Sequence, residues 1–233
     1  MTMFGLFRRR KKLDVDVRTA IGDARYAVID SELTGLDEKR DAILSLGAVQ
    51  MTGGRIEIGE AFYRLVSPDR QLTAENVVIH EITPSDVEAK PSIDVVLAEF
   101  LDFCGDRVLV GHFLAIDLAF LDRDAKRVRG AELGNAVVDT YSIYEWLRRR
   151  YRDHPCLSAP GLHSKLYDIA KCFGVPVGGA HNALMDAFTT AQLFQRFIPL
   201  LIGTGVRDLG DLLKIGIPFK GGERAHSGEI SNF

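Results

Sequence analysis

Tyr26-Ala27-Val28-Ile29-Asp30-Ser31-Glu32-Leu33-Thr34-Gly35 is the stretch on which the reading of this chain turns. Its apolar start, rich in aromatic and β-branched side chains, predicts a short strand over Tyr26–Ile29 that ends in Asp30, Ser31 and Glu32, with Thr34-Gly35 as a turn signal. Alternation along a strand puts Asp30 and Glu32, two residues apart, on the same face. Two carboxylates so close repel one another, and burying them without a cation raises a pKa or destabilises the fold. A divalent cation resolves that conflict, and hard oxygen ligands suit Mg²⁺ or Mn²⁺. An acidic pair at a strand end is also a common solvated feature, so the rest of the chain has to decide.

Working outward, Ala42 to Met51 reads as a second strand, Gly53-Gly54 as its turn, and Arg55 to Val66 as a third, together an antiparallel meander. From Pro91 the apolar period changes. Ile93, Val96, Leu97, Phe100, Leu101 and Cys104 recur at helical spacing, with Gly105 just past the end. Arg107 to Val110 is expected as a short buried strand and Leu114 to Val128 as the helix after it. Ala136 to Val138 is the next strand, leading through Asp139 into a helix over Ser142 to Arg150. Helices are also expected over Leu162 to Phe173, Asn182 to Leu201 and Asp208 to Lys214. Three antiparallel strands followed by strand–helix alternation predict an α/β fold, a mixed five-stranded sheet with helices on its faces. Residues 1–22 read as a basic, flexible leader, 23–202 as the catalytic domain, and 203–233 as a C-terminal extension with one short helix and a loose tail.

A chain of 233 residues with 46% hydrophobic content can bury one substantial core. Its 29 basic and 32 acidic residues give a net charge of −3, which argues against a protein that coats nucleic acid through a globally positive surface. An enzyme gripping one strand end through a local field is not excluded. Cys104, Cys156 and Cys172 lack zinc-type or redox-type spacing and are expected as buried free thiols of a cytoplasmic protein. No apolar run approaches the ~20 residues of a membrane span, so no integral membrane association is expected. Phe4, Leu6 and Phe7 followed by the basic run Arg8 to Lys12 would also fit a lipid-associated adaptor.

Two further acidic residues stand in telling places. Asp117 follows the Arg107–Val110 strand within Val110-Gly111-His112-Phe113-Leu114-Ala115-Ile116-Asp117, where a lone helix-start Asp could simply be a cap. Asp186 projects between Leu193 and Phe197 on the apolar-flanked arc of the last long helix, where a carboxylate needs a partner. His181 precedes it by five residues and can overhang the same place.

Together these residues match a known constellation. Ile29-Asp30-Ser31-Glu32-Leu33-Thr34-Gly35-Leu36 resembles the first motif of the DEDDh exonucleases, Val110-Gly111-His112 through Asp117 the second, and His181-Asn182-Ala183-Leu184-Met185-Asp186-Ala187 the third. Val138-Asp139-Thr140 and Ile79-His80-Glu81-Ile82-Thr83 also resemble family segments. The resemblance runs from about Tyr26 to Leu201 and is nearest to the epsilon-type proofreading exonucleases of bacterial DNA polymerase III, which share a ribonuclease H-like fold. The sequence departs from the family pattern at Leu33, usually threonine, at Phe113, usually asparagine, and at Ser45, often glutamate.

The resemblance implies a 3′→5′ exonuclease that releases nucleoside 5′-monophosphates with two divalent cations, Mg or Mn. Asp30, Glu32 and Asp186 would bind the first cation, Asp30 would bridge to the second, and Asp117 would assist through water. His181 would be the general base, since an imidazole exchanges protons near neutral pH. Leu33, Thr34, His80, His112, Phe113 and Ile116 would line the terminal nucleotide. The expected partners are single-stranded or frayed nucleic acid 3′-ends, with a polymerase or other protein docking through the termini. An RNA-directed enzyme of the same family and a non-catalytic nucleic-acid-binding module are the alternatives.

Overall fold

The computed structural model describes residues 15–69, 81–159, 165–179 and 181–219. Within them β1 (Arg25–Leu33), β2 (Ile43–Thr52), β3 (Arg55–Leu65), β4 (Val108–Gly111) and β5 (Val137–Asp139) form a five-stranded sheet in the order β3-β2-β1-β4-β5. β1 to β3 pair antiparallel, while β4 runs parallel to β1 and β5 parallel to β4. This is the mixed sheet that the sequence predicts. Two short strands suffice for the parallel half because Val108, Leu109, Val110 and Val138 are buried and need no polar face.

Helices cover both faces: α1 (Pro84–Val87), α2 (Ile93–Cys104), α3 (Ala115–Arg129), α4 (Thr140–Arg148), α5 (Pro155–Ser158), α6 (Leu166–Cys172), α7 (Ala183–Gly203) and α8 (Leu209–Ile215). The parity of β1 divides the core between them. Tyr26 and Val28 point to the face packed by Phe194, Phe197 and Leu201 of α7 and by Ile143 and Leu147 of α4. Ala27 and Ile29 point to the other face, packed by Val96, Leu97 and Phe100 of α2 and by Leu118 and Leu121 of α3. One position on β2 sets how near α7 approaches. Gly47 lies opposite Asp30, and a Cβ there would fall inside the Ala183–Leu184 backbone at the start of the helix.

The boundary of the leader needs correction. Residues 15–22, expected to be flexible, belong to the folded body: Ala20 bridges Asp208, Ile21 is buried, and Ile21 N–H donates to the Arg207 carbonyl at 2.9 Å. Leu209 and Leu212 of α8 join the same core cluster as Ile21 and Ala24. The basic charge that suggested a leader sits at residues 8–12, outside the described residues, whereas 15–24 supply apolar side chains that close one end of the core. The adaptor reading rests on that same undescribed stretch, His80 also lies outside the described residues, and the C-terminal tail is described only to residue 219.

The cysteine expectation is corrected as well. Cys156 and Cys172 form a disulfide between α5 and α6, with Cα atoms 5.5 Å apart, while Cys104 is free and buried. A separation of 16 residues carries no signature of pairing. Folding of α5 against α6 makes it. The cytoplasmic expectation therefore loses the support it drew from three free thiols. No helix of the described residues is long and apolar enough to cross a membrane.

Candidate active site

The parity that sorts the core also sorts the polar residues at the end of β1. Asp30 and Glu32 continue the Tyr26–Val28 face toward α7, and Asp186 sits in the first turn of that helix. The carboxylates of Asp30, Glu32 and Asp186 each offer an oxygen, and these lie within 4.8 Å of one another. Glu32 and Asp186 are buried and Asp30 is partly exposed, so the cluster opens to solvent on one side. Ser31, on the opposite parity, donates its hydroxyl to the carboxylate of Asp117 in the first turn of α3. Asp117 is buried and stands beside the triad, outside the group of mutually close oxygens.

Their charges conflict. Burial first, then repulsion from Asp117, Asp186 and Glu32, pushes the Asp30 carboxyl well above the ordinary carboxylate range. Burial, then repulsion from Asp186 and Asp117, raises Glu32 to about 8. Asp117 is raised to about 7, mainly by burial, with the Ser31 hydroxyl opposing. Asp186 is raised by burial against the hydrogen bond from Tyr167 and the nearby His181. Among the described residues no Lys or Arg forms an ion pair with Asp30, Glu32, Asp117 or Asp186. The donor set is all carboxylate oxygen, which fits a hard divalent cation.

The third motif is shaped by two devices. Asn182 caps α7, its side-chain oxygen accepting from Leu184 N and Met185 N at 3.2 and 3.3 Å. Just before it His181 holds a left-handed backbone at φ 62°, and its N–H donates to the Tyr167 hydroxyl at 2.9 Å and to Asp186 Oδ2 at 3.2 Å. Tyr167 in turn donates to both Asp186 oxygens, at 2.7 and 2.8 Å, and its ring meets the His181 ring edge-on at 5.8 Å.

Of the residues expected around the terminal nucleotide, Leu33 and Ile116 pack against the α2–α3 core. The Thr34 hydroxyl donates to Asp41 at 3.1 Å and accepts from Ala42 N at 3.0 Å, bracing the turn after β1. His112 is buried, with Nδ1 2.9 Å from the Thr140 hydroxyl, which itself bonds the Gly111 carbonyl at 3.1 Å. Phe113 is half-buried at φ 53°, its ring tilted on Tyr141 at 4.4 Å. Asp139 is fully buried, caps α4 through Tyr141 N at 2.8 Å, and is raised to about 6, chiefly by burial. Ser31 and Tyr167 are additions that the sequence does not announce. Ser31 is signalled only by its parity between two acidic residues, and Tyr167, 14 residues before His181, by nothing local.

Comparison with known proteins decides the family. The RNase_T exonuclease family model matches residues 27–194, which span β1 to the middle of α7 and contain every acidic residue above. The chain belongs to this exonuclease family. The chain is 33% identical over 183 residues to DNA polymerase III subunit epsilon of Aquifex aeolicus, covering 78% of this chain and 84% of that one. It is 32% identical over 197 residues to the PolC-type DNA polymerase III of Thermotoga maritima, covering 84% of this chain but 14% of the relative's length. Among solved structures it is similar in fold to E. coli exonuclease I in complex with a dT13 oligonucleotide, with TM-score 0.64, 17% identity and coverage of 78% and 43%. It is likewise similar to exonuclease X in complex with 5′ overhanging duplex DNA, with TM-score 0.58, 24% identity and coverage of 82% and 99%. The fold of this exonuclease domain is the ribonuclease H-like arrangement of those neighbours.

Proposed function

We propose that the chain is a two-metal-ion 3′→5′ exonuclease that shortens DNA ends and releases nucleoside 5′-monophosphates, in proofreading or repair. The observation that carries this reading is the convergence of Asp30, Glu32 and Asp186 oxygens within 4.8 Å, with no Lys or Arg among the described residues paired to them. Asp30, Glu32 and Asp186 would hold the cations, and Asp117, fixed by Ser31, adds its charge from α3. Bound divalent cations would supply an activated water and charge stabilisation for the leaving 3′-oxygen. His181 takes the proton of the attacking water, its backbone tethered to Asp186 and Tyr167 next to the acidic cluster. Phe113 on Tyr141 forms an aromatic wall beside the second motif that suits an unpaired terminal nucleotide.

DNA is favoured as substrate because the relatives of 30% identity and more are named as DNA polymerase III components. The same names support a polymerase as the partner. The exonuclease domain assigned to 23–202 is extended by residues 15–22 and 203–219, which pack on it. The test is degradation of 5′-labelled single-stranded, recessed and blunt DNA, and of matched RNA, with Mg²⁺, with Mn²⁺ and with chelator. A ladder of shortening DNA bands that needs the cation is expected. Full activity in excess chelator, or early internal fragments from a circular strand, would overturn the reading. Faster loss of RNA would replace DNA by RNA as substrate.

A further inference from the structure

Tyr167 lies outside the three acidic motifs, yet its hydroxyl bonds both the Asp186 carboxylate and the His181 backbone. It donates to Asp186 Oδ1 at 2.7 Å and to Oδ2 at 2.8 Å, and accepts from the His181 N–H at 2.9 Å. One oxygen therefore joins α6, the first turn of α7 and the left-handed residue that presents the imidazole. The ring is held independently of the hydroxyl. Ile169 and Ala170 anchor α6 in the core, the Cys156–Cys172 disulfide ties its far end to α5, and the ring itself meets His181 edge-on.

The chemistry of that hydroxyl matters. A buried carboxylate needs donors, and a lysine or arginine in this place would neutralise Asp186 and compete with a cation. A neutral phenol satisfies the carboxylate while leaving its negative charge in the cluster. Both Asp186 oxygens lie at nearly equal distance from the phenol oxygen, so either can be given up to a cation while the other keeps the phenol.

We propose that Tyr167 is a positioning residue of the hydrolytic site, orienting the Asp186 carboxylate toward Asp30 and Glu32 and fixing the backbone of His181 through the same hydroxyl. This rests on the cation-dependent reading above. Outer partners that orient metal-ligating carboxylates typically contribute 10–100-fold in metal affinity or activity. Tyr167→Phe keeps the ring and removes only the hydroxyl.

The experiment is Mn²⁺ titration calorimetry of the full chain, wild type and Tyr167→Phe, beside turnover of a single-stranded DNA oligomer at increasing Mn²⁺. The variant is expected to bind Mn²⁺ roughly 10–100-fold more weakly with unchanged stoichiometry. Its kcat at low Mn²⁺ falls by a similar factor, KM for the oligomer stays within about twofold, and raising Mn²⁺ restores most of the kcat. Stoichiometry reports the folded fraction separately from affinity, so partial unfolding cannot imitate the effect. Wild-type Mn²⁺ affinity in folded Tyr167→Phe overturns the inference, as does a kcat deficit that saturating Mn²⁺ leaves untouched. If the wild type itself binds no Mn²⁺, it is the cation-dependent reading that fails.

Discussion

Removing one charge from the acidic cluster should make the cation-free protein more stable, and the effect should depend on pH in a defined way. Glu32 is raised from an ordinary 4.5 to about 8, by burial first and by Asp186 and Asp117 next. Below pH ~4.5 it is protonated in both folded and unfolded chains and carries no penalty. Between 4.5 and about 8 the unfolded chain has lost this proton while the folded one keeps it, so stability falls as pH rises. Above about 8 both states are ionised and the deficit is complete. At ~1.36 kcal/mol per pH unit the loss reaches about 3 kcal/mol at pH 7 and about 5 kcal/mol above pH 8. Glu32→Gln removes that titration and also one source of the repulsion on Asp30. In chelator at pH 7 the variant should therefore melt roughly 6–12 °C above wild type, at 2–4 °C per kcal/mol for a chain of this size. Near pH 4.5 the two should coincide. Added Mn²⁺ should close the gap at pH 7 from the wild-type side, since ligand at a hundredfold excess over Kd is worth about 2.7 kcal/mol. Thermal unfolding across pH 4.5 to 9, with and without Mn²⁺, measures all of this. A difference that does not change with pH, or a variant less stable than wild type at pH 7 in chelator, would refute the electrostatic account of the cluster.

The same cluster predicts that Asp30→Asn, Glu32→Gln, Asp117→Asn and Asp186→Asn each lower turnover by orders of magnitude while circular dichroism shows the fold intact; wild-type turnover in any of the four removes that residue from the site. A 3′-phosphate should slow degradation of a 5′-labelled strand strongly, and equal rates with 3′-hydroxyl and 3′-phosphate ends would contradict attack from the 3′-end. Reducing the Cys156–Cys172 disulfide, which spans 16 residues, should cost about 3 kcal/mol, read as a melting temperature roughly 6–12 °C lower in reductant. An unchanged melting temperature would mean that the bridge contributes nothing. Phe113→Asn should cost only about 0.5–1.5 kcal/mol, because asparagine tolerates the left-handed backbone at φ 53° and what is lost is ring packing on Tyr141 and His112. A loss of 3–5 kcal/mol would instead mark Phe113 as a core residue.

The β-sheet was legible because its signals are local. The apolar run Tyr26–Ile29 became the buried centre of β1, and the Gly53-Gly54 turn separates β2 from β3 as the alternation predicts. Asp30 and Glu32 were legible as a same-face pair because two residues separate them on one strand, whereas Asp117 and Asp186 joined them only through the resemblance of the three motifs. What remained hidden depends on contacts between distant segments. The packing of residues 15–22 on α8, the disulfide across 16 residues and the Tyr167 bonds to Asp186 are made by the folded chain bringing elements together. Local composition misled at the first of these, since the basic charge of residues 8–12 coloured the reading of the apolar residues that follow.

The departure at Ser45 shows how packing can change what a position is for. Ser45 lies directly opposite Glu32 on β2, is fully buried, and neighbours Tyr63 on β3. A glutamate there would place another carboxylate on the β2 residue directly opposite Glu32, a carboxyl already raised to about 8 by burial and by Asp186 and Asp117. A small hydroxyl adds no charge and leaves room for the Tyr63 ring, whose own hydroxyl reaches the Asn182 amide at 3.4 Å. With the uncharged Ser45 opposite Glu32, the cluster depends on Asp117 from α3 for any further negative charge. Loss of Asp117 should therefore be felt more keenly here than in a chain that carries glutamate at this position.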